Sequence, residues 1–126
     1  MSGTQFLTPS FQAVDTAAVS TVGPPGNNLT ALGTTRATAL QLTSRLNNVT
    51  TAAASTGVTL PPGIPGVRVT LFNAGANNIQ VYGAGSDTID TIAGSTGVVL
   101  TAAARCEYFC VGPGVIVSAK MGVVSA

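Results

Sequence analysis

The chain contains no histidine. That absence removes the commonest general base, the commonest metal ligand and every Ser–His or Cys–His nucleophile pair. Charge is scarce too: 7% of residues are charged, against about 25% in an ordinary soluble protein. With a net charge of +1 there is no basic footprint for a phosphate backbone and no acidic run for a basic partner, so no nucleic acid is expected among the partners. Tryptophan is absent and tyrosine occurs twice, which argues against a site that stacks sugars on aromatic rings. No apolar run approaches the roughly 20 residues of a membrane-spanning helix. The opening MSGTQ lacks a basic region followed by an apolar one, so the expectation is a chain made in a cytosol, with no membrane partner.

The carboxylates are Asp15, Asp87, Asp90 and Glu107. An acid–base pair would have to join Asp87 to Asp90 or Glu107, and nothing in their spacing demands it; the chain is not expected to be an enzyme. Cys106 and Cys110, in RCEYFC, fall on one face of a strand about 13 Å apart by the strand rise, beyond the reach of a disulfide. No other Cys or His could complete a zinc site, so neither metal nor cofactor is expected. In a cytosol the two thiols stay reduced. They read as core or interface residues with Tyr108 between them on the same face, while Arg105 and Glu107 alternate with them and could pair across the outer face. Two glycosylation sequons, at Asn28 and Asn48, read as coincidence in a chain so rich in Asn and Thr.

What is present is apolar residues (45%) and uncharged polar ones, above all Gly, Thr, Ser and Asn. A length of 126 residues allows one ordinary domain. Two accounts of so neutral a surface stay open: Thr and Asn hydrate it, or other copies or a partner cover it.

Residues 1–34 keep no helical or strand period and hold Pro9, Pro24 and Pro25. This stretch is read as an extended N-terminal arm that orders on another surface, with Phe6, Leu7, Phe11 and Val14 as its apolar, partner-binding anchors. From residue 35 to 126 the pattern becomes short β runs between turn residues. Over 37–42 a strand is expected; a helix is also permitted across 37–51, with Leu42 and Leu46 four apart, but the β-branched threonines favour the strand. Further runs follow at 48–52 and 57–60, and then Pro61 to Gly66 break the pattern. The clearest strand is 67–72, with Val67, Val69 and Leu71 on one face. Residues 73–77, NAGAN, read as a turn returning the chain through 78–82, a β-hairpin with Ile79 and Val81 inward and Gln80 and Tyr82 outward. More strands are expected at 88–92, 98–102, 105–111 and 115–119. GAGSD, at 83–87, fits one loose copy of a Ca2+-binding nonapeptide, but such sites need tandem copies; the favoured reading is a Gly-rich turn in which Asp87 bonds its own backbone. The expected fold is all-β: an antiparallel β-sandwich or small, jelly-roll-like barrel carrying the N-terminal arm.

The segment ATALQLT followed by NNVTT, the GVTLPP break, VTLFNAGANNIQVYG, the DTIDTI element and the aromatic strand before Gly112-Pro113-Gly114 together resemble the β-rich domain of small structural proteins of tailed bacteriophages. The resemblance covers roughly residues 35–118; the two cysteines in the last aromatic strand and the short tail KMGVVSA depart from it. It implies a virion protein on the outer capsid surface, a decoration (cement) protein or head fibre whose partner is the major capsid protein and which forms homo-oligomers, frequently trimers. It carries no active site. The alternative is a fibre or adhesin-type module whose loops, 73–78 or 83–87, contact the host surface.

Overall fold

The structure, a computed structural model, describes residues 25–123. It is all-β, with eleven strands: β1 (Gly26–Thr30), β2 (Leu40–Gln41), β3 (Leu46–Thr51), β4 (Thr56–Thr59), β5 (Arg68–Asn73), β6 (Ile79–Tyr82), β7 (Thr88–Ile89), β8 (Ile92–Ala93), β9 (Val98–Leu100), β10 (Ala104–Gly112) and β11 (Val115–Val123). They form a larger sheet in the order β1-β3-β5-β10-β11-β7-β8 and a smaller one in the order β2-β4-β6-β9. Among the described residues no helix is long and apolar enough to cross a membrane.

The first six strands alternate between the two sheets. β1, β3 and β5 pair in parallel in one, and β2, β4 and β6 pair in parallel in the other. The chain therefore winds through three coils, each giving one strand to each sheet, which is the winding of a β-solenoid. The register sets Leu46 beside Thr70 and Val58 beside Val81, so successive coils stack side chain on side chain. The last strands close the coil in the opposite sense. β9 pairs antiparallel with β6, and β10 antiparallel with β5 and β11.

This corrects the expected antiparallel sandwich or jelly-roll barrel. Among the named strands antiparallel pairing begins where β9 and β10 join the coil, apart from the small β7–β8 turn; outside them a single antiparallel bridge joins Leu32 to Gly57. The expected hairpin over 67–82 does not form: β5 lies between β3 and β10, and β6 lies in the other sheet between β4 and β9. Alternation of apolar residues reports which face of a strand is buried, not which strand it pairs with. The strand expected over 88–92 breaks into β7 and β8 because Asp90 and Thr91 both take positive φ, 50° and 69°, the two-residue turn of a tight hairpin. Of the expected strand at 37–42, a single 3-10 turn takes Arg36–Thr38 and only Leu40–Gln41 remains extended.

The arm expected over 1–34 loses its last part to the domain. Gly26–Thr30 is the edge strand of the larger sheet, and the N–H of Ala31 donates to the Thr51 carbonyl at 2.9 Å. Gly33 then turns the chain at φ 67°, where any Cβ would lie 2.4 Å from the carbonyl oxygen of Thr38.

One core fills the space between the sheets. Val49, Val69 and Leu71 from the larger sheet meet Val58, Ile79, Val81 and Leu100 from the smaller, and Leu42 and Leu60 fill the corners. Cys106, Tyr108, Cys110 and Ile116 extend the same cluster under β10 and β11. Leu71 is fully buried at the centre of the larger sheet, so Leu71→Ala is expected to lower stability by about 2–5 kcal/mol. Urea unfolding followed by far-UV circular dichroism measures this directly.

Candidate functional site

The polar side chains that looked most available for chemistry are engaged inside the fold. Asn73, at the end of β5, is buried; its amide Nδ2 donates to the carbonyls of Asn77 (2.9 Å), Leu100 (3.1 Å) and Thr101 (3.2 Å), and its Oδ1 accepts the N–H of Gly75 at 3.0 Å. Asn77 donates to the Ala52 carbonyl of the preceding coil at 2.8 Å, and Asn78 Oδ1 accepts the Ala102 N–H at 3.0 Å. Gly75 lies against this corner: a Cβ there would sit 2.7 Å from that of Ala52. The segment NAGANN is thus a corner between sheets. Its side chains satisfy carbonyls and N–H groups that no ladder reaches. Asn47, the buried asparagine of β3, plays a like part through the carbonyls of Ser44 and Thr70.

The three described carboxylates occupy separate places. Asp87 does not bond its own backbone through its side chain; its Oδ2 accepts the N–H of Gly63 at 2.7 Å and so ties the GAGSD turn to the Pro-rich crossover from β4 to β5. Asp90 accepts from the backbone N–H of Ser118 at 2.8 Å and from the Ser118 hydroxyl. Glu107 accepts from the Thr70 hydroxyl at 3.2 Å, on the outer face of the larger sheet. Arg36 donates to the carbonyls of Gly83 (3.2 Å) and Gly85 (2.6 Å) and so ties the turn after β6 to the segment before β2. Among the described residues no three His, Cys, Asp or Glu side chains gather in a metal-binding group.

Cys106, Tyr108 and Cys110 share the inner face of β10, as the alternation implied, and both thiols are free. Burial pushes the Cys106 thiol above its ordinary value, against lowering by hydrogen bonds to Tyr108 and Ser118. Burial also raises the Tyr108 phenol, and the neighbouring Cys106 adds to it. Neither group is disposed for nucleophilic work at neutral pH.

What remains outward-facing is a surface. Along the β10–β11 hairpin Val111 is 63% exposed, Val115 45%, Val117 38% and Met121 47%. Phe109 pairs across the strands with Val117 on one side and Arg68 on the other, and the Arg68 guanidinium lies 6.0 Å from the ring centroid. Beside this stripe lies a shallow hollow lined by Arg45, Leu46, Gly66, Arg68, Thr70 and Glu107. The outer face of the smaller sheet, around Thr34, Gln80, Tyr82 and Val99, presents no charged side chain. The hydroxyl of its Tyr82, expected to face outward, donates to the Thr34 carbonyl at 3.4 Å, and the ring is buried. The residues proposed as partner-binding anchors, Phe6, Leu7, Phe11 and Val14, lie outside the described residues. Sequence reasoning missed the β10–β11 stripe, although the run of valines at 111, 115 and 117 around Gly112-Pro113-Gly114 was its signal.

Comparison with protein-family models, with curated proteins and with solved structures finds no match to this chain.

Asn73→Ala leaves buried carbonyls and the Gly75 N–H unpaired and is expected to cost at least about 1–3 kcal/mol; an unchanged urea midpoint would show that the backbone alone holds the corner. The raised values of Cys106 and Tyr108 set a pH dependence of definite sign. The folded chain keeps protons that the unfolded chain releases from about pH 8.5 for a thiol and about pH 10 for a phenol, so stability is fully present below the first value and is lost as pH rises further. Urea midpoints between pH 7 and pH 10.5 should fall, and Cys106→Ser should flatten the first part of the fall.

Proposed function

We propose that this protein is a structural virion component that decorates and stabilises a bacteriophage capsid by binding the lattice of its major capsid protein, as a homo-oligomer with a trimer favoured. The observation that carries the reading is the division of labour among the side chains. The amides and two of the described carboxylates hold corners and crossovers, while the surface offers an apolar stripe along β10–β11 and few charges. Such a molecule is built to be held in place rather than to turn over a substrate. A surface this neutral and partly apolar gains by being covered. Repetition on a symmetric shell lets each contact be weak while the whole layer stays bound. The edge strands of the two sheets among the described residues, β1 and β8 in the larger and β2 and β9 in the smaller, are further places where a neighbouring chain can add hydrogen bonds.

The alternative, a fibre or adhesin module reading the host surface through residues 73–78 or 83–87, has less to work with. Asn73, Asn77, Asn78 and Asp87 are all bonded within the fold. A glycan-panel screen of the full chain tests it, with specific binding as the outcome that would reinstate it.

The decoration reading is tested by comparing the full chain with one lacking residues 1–24, a cut that spares every described strand. A longer cut through residue 34 would remove β1 and the buried Ala31 and so confound binding with unfolding. The full chain is expected to co-sediment with capsids at a copy number commensurate with the lattice, by quantitative mass spectrometry against the major capsid protein. A handful of copies would place the protein at a tail or portal position, and none would overturn the reading.

A further inference from the structure

β11 is paired along its whole length on one side and along little of it on the other. β10 follows it from Val115 to Val123, whereas β7 reaches only Val115 and Ile116 before the chain turns away at Asp90 and Thr91. Among the described residues no other strand lies against that side. The Gly114 and Ile116 carbonyls point to it and accept the N–H groups of Thr88 and Asp90, and the Ser118 N–H points to it and donates to the Asp90 carboxylate. Successive residues of a strand turn their N–H and C=O to alternate sides, so Lys120 turns its own there too. Residues 118–123 are therefore a free edge within the larger sheet, and Ala119, Lys120 and Met121 on it are exposed.

The other described edges are shorter or less regular. β2 and β8 are two residues long and β9 is three. β1 has five, but its register with β3 shifts twice, and Asn28 within it takes a φ of 54°. Unpaired backbone on a long strand is a template for another chain, and a β-branched, uncharged sequence makes it a better one. β11 reads VIVSAKMGV, in which Lys120 is the only charge and also the one lysine of the chain. Two further features sit on the same stretch. Asp90 accepts the N–H and the hydroxyl of Ser118, occupying the first edge position past β7. Met121 has no counterpart on β10, since Cys106 pairs with Lys120 and Arg105 with Gly122, and such a bulge bends and twists its strand. An edge lysine and a bulge are the devices by which strands avoid pairing with their neighbours, and here they coincide where the edge is longest.

We infer that residues 118–123 are a strand-pairing surface for a second copy of this chain, held closed by Lys120. The occupant that fits is the same edge of the other copy, antiparallel about a two-fold axis, because it matches in length and the arrangement is self-complementary. With the Ser118 N–H already taken by Asp90, the register left open is centred on Lys120. That register sets the two ammonium groups opposite each other on adjacent strands, where like charges repel. The edge thus has the backbone to add a strand and a charge that rejects its own copy. This inference goes beyond the capsid reading and does not rest on it. It directs a homo-oligomer, the proposed trimer included, to contacts other than the β11 edge.

The test is the mass of the full chain by light scattering after size exclusion, with the fold checked by far-UV circular dichroism. Lys120→Val and Lys120→Thr each replace the charge with a β-branched residue, and each is expected to reach at least about twice the wild-type mass at matched concentration. In hydrogen exchange the amide at position 120 should be open in the wild-type chain and protected in both variants. Lys120→Glu keeps like charges on the axis and should hold the wild-type mass. So should Arg45→Val, which removes the same charge from a hollow that β11 does not line. Wild-type mass in a folded Lys120→Val or Lys120→Thr chain overturns the inference. So does association that leaves the amide at position 120 open, because another surface then pairs. Equal association of Lys120→Glu or Arg45→Val overturns it as well, since the cause is then not this charge on this edge. A mass below wild type in Lys120→Val does the same, because the edge would already be part of the wild-type assembly.

Discussion

A chain wound between two sheets must cross from one to the other at every half-coil, and each crossing exposes carbonyls and N–H groups that neither sheet can pair. The rest of this structure depends on how those groups are satisfied at the corner after β5. Asn73 supplies one amide to three carbonyls and one carbonyl to the Gly75 N–H, and two of those carbonyls, of Leu100 and Thr101, belong to the returning C-terminal part of the chain. The same residue therefore ends a parallel coil and fastens the antiparallel strands that close it. Asn77 reaches back to Ala52 and locks that corner to the one below. An unpaired buried carbonyl costs more than a typical hydrogen bond contributes, so these side chains decide whether the corner can be dry and tightly packed.

Once the corners are set, the core follows with little further instruction. Parallel stacking puts Val49 near Leu71 and Val58 beside Val81, and the two apolar faces meet as one cluster. The closing strands add their own buried row, Cys106, Tyr108 and Cys110, in which the thiols act as small apolar fillers. The few charges are placed with equal economy. Asp87, Asp90 and Arg36 bind backbone groups of distant segments, so they work as clamps on loops rather than as a reactive constellation. The proposed structural role starts from what is left over: an outer face with exposed valines and unevenly distributed charge.

The residue pattern made several of these features legible. Alternation located β3, β4, β5, β6, β9 and β10 to within a residue or two, found the start but not the full length of β11, and assigned Val69, Leu71, Ile79 and Val81 to the buried face. It also placed Cys106, Tyr108 and Cys110 together on one face of one strand, which the structure buries. The Asn–Gly cluster after β5 was recognisable as a change of direction, because Asn and Gly tolerate and stabilise turns. Its partners were not recognisable. Leu100 and Thr101 lie far along the chain, and a local turn and a corner between sheets use the same residues. Asp87 shows the same limit: a bond to its own backbone and a bond to Gly63 leave identical marks on the sequence.

Composition and period alone determined that this chain is all-β, that its strands are short, and that it lacks histidine for the commonest acid–base and metal chemistry. Those properties are local or summed over residues, so the sequence carries them directly. Only the tertiary structure decided that consecutive strands go to opposite sheets, that like strands stack in parallel, and that Gly26–Thr30 belongs to the larger sheet. Pairing is a choice among partners distant in sequence, made by which backbone groups can all be satisfied at once, and no single segment records it.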